Sequence, residues 1–286
     1  MFGQIEQALR HLNPVEVQRL AGQGFLVGLL AADEAAYRGM VRFLLPAGVS
    51  PQKARLAGGH AFRVEREEDC GQCDFGLAEP DLDRPTHFYP YEPAQAGRAV
   101  DLFVERQEHL WIPVARHFLP FRSAVVERLI RKIARENAMF AVATSIPNLA
   151  PSLLQLPWTV GEFASDAAFM TMNQIRLAFL LAAASDAPLG YLEQKAQISS
   201  IIAAAFGWRA LARELVSKVP FGGGLVAKGM VAFAGTYVVG RGLERYLRLG
   251  RGLTAAEKSE HFGQAFQRGR AMVEEIVAGW KGGNSR

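Results

Sequence analysis

Cysteine is scarce in this chain of 286 residues, since only Cys70 and Cys73 are present. Two cysteines cannot build a disulfide framework, so a reducing compartment such as the cytoplasm is expected. The N-terminus also lacks the basic start and apolar core of a secretory signal peptide, which favours the same compartment. A secreted, disulfide-rich protein is therefore not expected.

A large excess of charge of one sign is missing as well. The 32 Lys and Arg residues stand against 28 Asp and Glu, which gives a net charge of +4. That excess is too small to indicate nucleic-acid binding, and no nucleic-acid partner is expected. Half of the residues are hydrophobic, so the chain can bury a core as one large domain or two ordinary ones.

Residues 1–119 are predicted to form a small α/β domain. Residues 24–31 are an unbroken apolar run, and helical spacing follows at once until Pro46. A buried strand followed directly by a helix is how doubly wound domains begin. Short strands are predicted at residues 60–65 and 73–77, helical spacing returns at 96–107, and the pattern of residues 110–118 predicts another buried strand.

The chemistry for binding phosphate is missing at the two places where it would be expected. The turn after the first strand carries Asp33 and Glu34, and carboxylates there would repel a phosphate. The glycine run at 222–224 precedes Lys228, but the next residue is Gly229 instead of Ser or Thr. Neither stretch predicts nucleotide hydrolysis, so the protein is not expected to be an enzyme of that kind.

A zinc site is the metal centre that the residue types allow. Cys70 and Cys73 form a CxxC pair, and His60 and His87 lie nearby in the sequence. Zinc takes four such ligands in tetrahedral array, but one CxxC pair with outlying histidines is a weak signature. Ordinary reduced thiols in a loop are favoured, so no cofactor is expected and zinc is the lesser alternative.

Residues 120–286 are predicted to form a helical bundle, so the overall fold class is α+β. The last helix has a capping box at Thr254 and Glu257. A polar stripe at helical spacing runs through the middle of this part: Glu162, Asp166, Phe169, Asn173 and Arg176. A structural polar network with Arg209, Arg213 and Lys228 is the favoured interpretation, because buried charges must be paired. A soluble enzyme or ligand-binding site at the stripe is the alternative.

Two basic clusters lie beside apolar runs, at residues 137–161 and 220–240. They are Arg128, Arg131, Lys132 and Arg135 before the first run, and Arg241, Arg245, Arg248 and Arg251 after the second. Their helical spacing predicts that both face one anionic surface. A membrane-associated bundle is favoured over a soluble one with solvated basic faces. An outward apolar belt around Phe233 and Val238 would indicate lipid contact.

Three stretches resemble one bacterial family: NAMFAVATSIPNLAPS, LPWTVGEFASDAAFMTMNQIRLAFLLAAA, and the long segment from AFGWRALARE to YLRLG. That family is the domain of unknown function attached to Era-like GTPases, and it includes the YcjF-type inner-membrane proteins. The match covers about residues 120–252. Its pattern is carried by Pro147, Asp166, Gln174, Pro220, Thr236, Tyr237, Gly240 and Tyr246.

The resemblance implies a non-enzymatic interaction module that acts with a GTPase or another protein at the cytoplasmic face of the bacterial inner membrane. The family offers no catalytic residues to carry over. This chain departs from its relatives by lacking any GTPase signature of its own. Residues 1–119 would then be a degenerate G-domain-like unit without its phosphate loop, an analogy at the level of fold alone.

Overall fold

A computed structural model describes residues 14–145, 166–201 and 224–283 of the chain. The protein is mostly helical with one small four-stranded parallel sheet. The predicted α+β class is confirmed at that level. The chain divides into two compact units, here called the sheet unit (Val15–Arg128 with Ala182–Pro188) and the helical unit (Leu129–Leu181 with Leu189–Arg286).

The strands of the sheet unit lie in the order β2-β1-β3-β4 and are all parallel. Its elements, in chain order, are α1 (Pro14–Ala21), β1 (Val27–Leu30), α2 (Glu34–Leu44), α3 (Pro51–Gly58), β2 (Ala61–Arg63), β3 (Phe75–Ala78), β4 (Phe88–Pro90), α4 (Ala96–Arg106) and α5 (Trp111–His117). The predicted first strand, the helix after it and the strands at 60–65 and 73–77 are confirmed.

The predicted strand at residues 110–118 is wrong, because Trp111–His117 is the helix α5. Trp111 to Ala115 are all buried, so the segment has no polar face to reveal a helical period. A short apolar run of this kind cannot be assigned to helix or strand by periodicity alone. Pro113 fits because the first turn of a helix needs no backbone N–H from it.

Phe88 packs across two glycines on one face of the sheet. Gly28, Gly76 and Phe88 are neighbours in register on β1, β3 and β4. A Cβ atom added at Gly76 would lie 2.1 Å from Phe88 Cε1, and one added at Gly28 would lie 2.8 Å from Phe88 Cζ. Both glycines are therefore required for the close approach of this ring.

The helical unit contains parts of α6 (Leu119–Ala143) and α7 (Asp166–Ala184), and all of α8 (Gly224–Leu249) and α9 (Ala255–Gly283). Phe140 on α6 stacks on Phe169 on α7, with 3.8 Å between ring centroids. The predicted capping box is confirmed, since the Thr254 backbone N–H donates to Glu257 and the Glu257 backbone N–H donates to Thr254 Oγ1. Helical-bundle character is thus confirmed for this part of the chain.

Two glycines of α8 let neighbouring helices approach it closely. A Cβ atom at Gly229 would lie 2.7 Å from Val142 Cγ2 and 2.8 Å from Val273 Cγ1. At Gly240 it would lie 2.8 Å from Ile130 Cγ1 and Cγ2. Since Gly229 meets the end of α6 and Gly240 meets its middle, α6 and α8 run antiparallel.

Candidate functional site

Carboxylates lie where a doubly wound sheet would bind a ligand. The strand order reverses between β1 and β3, and the crevice outside their carboxyl ends is the usual ligand site of such sheets. Here Glu79 accepts a hydrogen bond from the Ala32 backbone N–H at 2.6 Å, and Asp33 accepts one from the Ala36 N–H at 2.8 Å. These side chains take backbone donors that a phosphate would need.

Cys70, Cys73 and His87 lie together beside the sheet. His87 Nε2 is 3.0 Å from the Cys70 carbonyl oxygen and 3.9 Å from Cys73 Sγ, and the Cys73 thiol donates to the same carbonyl. Burial raises the pKa of Cys73 to about 11. Because the thiolate is the nucleophile and the metal ligand, this thiol is held in its unreactive form at neutral pH.

His60, the fourth residue of the zinc hypothesis, lies in a different cluster. Its ring stacks on Phe25 with 4.4 Å between centroids, and its Nδ1 is 2.9 Å from the Phe25 carbonyl oxygen. Within residues 14–145, 166–201 and 224–283, no group of three or more His, Cys, Asp and Glu side chains is placed to hold a metal ion.

His117 packs against His60, a pairing that the sequence analysis missed because 57 positions separate the two residues. The ring centroids are 4.4 Å apart, and His117 also contacts Phe25. Burial lowers the pKa of His117 to about 4, and the neighbouring His60 and Arg116 act in the same direction. Asp186 opposes them, but the imidazole stays neutral at physiological pH.

The pH dependence of stability tests this arrangement. Unfolded His117 titrates near 6.5 and folded His117 near 4, so its contribution is full above pH 6.5 and is lost as the pH falls towards 4. Relative to His117→Phe, the wild type is expected to lose about 1–2 kcal/mol over that range, allowing for the partial exposure of the ring to solvent. Urea unfolding at several pH values measures the difference.

The exposed His109 supplies the control for that experiment, and His109→Phe is expected to keep the wild-type pH profile. A constant difference between His117→Phe and wild type from pH 6.5 to 4 would contradict the buried neutral imidazole.

Asp186 ends α7 in an unusual conformation and joins two basic side chains. Its φ is 55°, and the Asp186 and Ala187 N–H groups donate to the carbonyls of Ala183 and Ala182 in a Schellman pattern. Asp186 forms ion pairs with Lys53 at 2.6 Å and Arg116 at 3.1 Å. Burial alone would raise its pKa, but these two partners lower it overall. The ion pairs offset the left-handed backbone that glycine normally occupies.

A buried polar layer crosses the helical unit. Asn137 Nδ2 donates to Thr236 Oγ1 at 2.8 Å, and Asn173 Nδ2 donates to Asn137 Oδ1 at 2.9 Å. Gln174 Nε2 donates to the same Thr236 oxygen at 3.3 Å. One further ion pair joins Arg176 to Glu136 at 3.1 Å. The layer thus links α6, α7 and α8.

The predicted stripe enters this layer only in part. Asn173 and Arg176 lie in it, whereas Lys228 is exposed and donates to Ser145 Oγ at 2.9 Å. Glu136 and Asn137, both buried on α6, were not predicted as partners. Glu162, Arg209, Arg213 and the Asp166 side chain lie outside the residues that the structure describes.

Several members of the two predicted basic clusters are engaged in ion pairs. Arg128 pairs with Glu105 at 3.6 Å, Arg241 pairs with Glu244 at 2.8 Å, and Arg245 pairs with Glu257. The clusters also include five residues on α6 and at the end of α8: Arg131, Lys132, Arg135, Arg248 and Arg251. Of these, Lys132 is half-buried and the other four are exposed.

The end of α8 exposes apolar and basic side chains together. Tyr246 is 39% exposed and Leu249 is 50% exposed, and Arg248 and Arg251 are exposed with no ion-pair partner in the described part of the chain. Gly250, with φ of 69°, closes the helix by donating to the Tyr246 carbonyl. These four residues, Tyr246, Arg248, Leu249 and Arg251, are called the α8 tip below.

Phe233 and Val238, whose outward exposure would have indicated lipid contact, are buried. None of the helices in the described ranges combines the length and the apolar character that crossing a bilayer requires. Comparison of the chain with protein-family models, curated proteins and solved structures gave no match.

Proposed function

We propose that the protein is a non-enzymatic module that binds an anionic membrane surface through the α8 tip and acts there with a protein partner. The observation that carries this proposal is that Arg248 and Arg251, which have no ion-pair partner among the described residues, lie beside exposed Tyr246 and Leu249 at one helix end. Arginine attracts anionic headgroups, while tyrosine and leucine favour the boundary between headgroups and acyl chains.

The energies fit reversible, peripheral binding. Each arginine near an anionic leaflet contributes about 1 kcal/mol, and this attraction weakens within a Debye length of salt. Two arginines with two apolar side chains therefore provide weak attachment on their own. A partner that binds at the same time would strengthen it, because two linked contacts act at high effective concentration.

The resemblance to the GTPase-associated family supports a choice of partner and place. A GTPase at the cytoplasmic face of a bacterial inner membrane is the proposed setting. In that setting the partner binds the nucleotide, because the carboxylates of Glu79 and Asp33 already take backbone N–H donors of this chain that a phosphate would need.

A soluble enzyme or ligand-binding protein that uses the polar stripe is the alternative. The described residues of the stripe support this alternative less well than they support a structural role. Asn173 and Arg176 already bond Asn137 and Glu136, so their polar groups are committed to neighbouring helices. A structural role in joining α6, α7 and α8 accounts for the same contacts.

Neutralising the tip tests the membrane proposal. Arg248→Gln with Arg251→Gln is expected to weaken partition onto vesicles of phosphatidylcholine and phosphatidylglycerol by about 10- to 30-fold, since each lost charge removes about 1 kcal/mol. Sedimentation with vesicles at low salt measures the partition. Pure phosphatidylcholine vesicles are expected to bind both proteins weakly.

The matched control is Arg55→Gln with Arg268→Gln, which removes the same charge from exposed residues that are not part of the α8 tip. It is expected to partition like wild type. Equal losses in the two double variants would mean that net charge alone drives binding, and no binding of wild type to anionic vesicles would sink the proposal.

A further inference from the structure

A cavity of about 260 Å³ lies within the helical unit. It is bounded by the helical residues 195–201, by the second half of α8 and by the start of α9. Its floor is apolar, formed by Ile201, Val238 and Leu243, all of which are buried. The floor therefore suits a hydrocarbon chain better than a polar metabolite.

One polar atom at this cavity is left without a partner. Gln197 lines the cavity, and its Oε1 is shielded from water with no hydrogen bond in the described structure. A buried acceptor in this state costs about 1–3 kcal/mol. A ligand that carries an O–H or N–H donor would recover that cost once the Gln197 amide turns towards the cavity that this residue lines.

Among the described residues that line the cavity, one is a cation, Lys258, and none is acidic. Lys258, in the first turn of α9, lines the cavity and is exposed. The neighbouring Glu257 is bound to Thr254 and Arg245, so it is committed elsewhere. The ammonium group of Lys258 makes no ion pair within the described residues, and it can receive an anionic group of a ligand.

We infer that this cavity binds a small, free anionic amphiphile. Its apolar chain lies on Ile201, Val238 and Leu243, its anionic head pairs with Lys258, and a hydroxyl or amide donor near the head bonds Gln197 Oε1. The volume corresponds to about nine liquid waters, or a similar number of methylene groups. A hydroxylated carboxylic acid of about ten carbons has this size and these three features.

This site is separate from the proposed membrane function. Arg248, Leu249 and Arg251 do not line the cavity, and Tyr246 is the residue of the α8 tip that does. The Arg248→Gln and Arg251→Gln double variant is therefore expected to bind the amphiphile like wild type. Failure of vesicle binding and failure of ligand binding can thus be told apart.

Calorimetric titration of the full chain with 3-hydroxydecanoate, below its micelle concentration, tests the inference. Lys258→Gln is expected to weaken binding about tenfold or more, because a charge-assisted hydrogen bond is lost. The same variant is expected to bind 1,3-decanediol, which has no charge, as tightly as wild type does. Arg268→Gln, an exposed cation of α9 outside the cavity, is the control and keeps wild-type affinity.

Two further variants test the hydrogen bond to Gln197 and the space in the cavity separately. Gln197→Leu is expected to abolish the preference for 3-hydroxydecanoate over decanoate, which in wild type is expected to be about fivefold. Val239→Phe fills the cavity from a half-buried position and is expected to abolish binding, while its thermal unfolding stays cooperative.

The inference is overturned if wild type does not bind 3-hydroxydecanoate, or if Val239→Phe and Lys258→Gln bind it like wild type. A membrane lipid is the other source of the same chemistry. If Val239→Phe also loses partition onto anionic vesicles, the occupant is a bilayer lipid and the assignment of a free ligand is wrong.

Discussion

Replacement of Gly76 by alanine is expected to lower the free energy of unfolding of the sheet unit by about 2–3 kcal/mol, which is typical of overpacking in a tight core. The new Cβ would lie 2.1 Å from Phe88 Cε1, closer than two carbon atoms can approach. Phe88 is itself buried among Val64, Cys70 and Ala78, so its ring has little room to move away. Urea unfolding followed by circular dichroism measures the loss.

Two comparisons isolate the steric cause. Gly39→Ala on α2 introduces a Cβ with nothing within 4 Å, and it is expected to be neutral or to stabilise by up to about 1 kcal/mol. In a Phe88→Ala background, Gly76→Ala is expected to cost less than about 1 kcal/mol, because the conflicting ring is gone. An equal cost in both backgrounds would refute the ring contact as the cause.

Replacement of Asn137 by leucine is expected to cost about 2–4 kcal/mol in the helical unit. Asn137 is fully buried, donates to Thr236 Oγ1 and accepts from Asn173. Leucine has the same number and branching of side-chain heavy atoms and is not smaller, so the effect reports lost hydrogen bonds and the unsatisfied amide of Asn173 and not a new cavity. Thermal and urea unfolding both measure it.

The double variant Asn137→Leu with Asn173→Leu shows whether the two amides act as a pair. Removing both partners is expected to cost less than the sum of the single substitutions, by about 1 kcal/mol or more. The exposed Gln267→Leu on α9 is the control and is expected to stay within about 0.5 kcal/mol of wild type. Additive single effects would mean that Asn137 and Asn173 do not share a network.

The outcome at Asn173 also bears on function. If Asn173→Leu changes stability and leaves vesicle partition intact, the polar layer is structural, as the proposed function requires. A bound small molecule that is lost on Asn173→Leu would instead favour the ligand-binding alternative at the stripe.

Local signals in the sequence were sufficient for several elements. The apolar run followed by helical spacing predicted β1 and α2, because the periods of strand and helix differ within a few residues. Thr254 and Glu257 predicted the start of α9, because a capping box needs only residues three positions apart. Such features depend on neighbours in the chain, so the sequence displays them directly.

The failures have an equally physical cause. The α5 segment is buried along most of its length, so its sequence has no polar side from which a helix could be recognised. His117 was overlooked because its low pKa arises from burial and from His60, which is distant in sequence. Helical spacing predicted the polar stripe that includes Asn173. Asn137 and Glu136 were not assigned to it, because only the packing of α6 against α7 brings them next to Asn173 and Arg176.

The sequence by itself thus determined the α+β class, the approximate position of several elements and the cap of α9. Tertiary structure alone decided which ion pairs the described arginines form and which polar side chains join the buried layer. It also decided that Gln197 and Lys258 line one cavity. Local periods and caps are set by residues within a turn or two, whereas pairing, burial and cavities depend on distances between residues far apart in the chain. Those distances exist only once the helices and strands have packed.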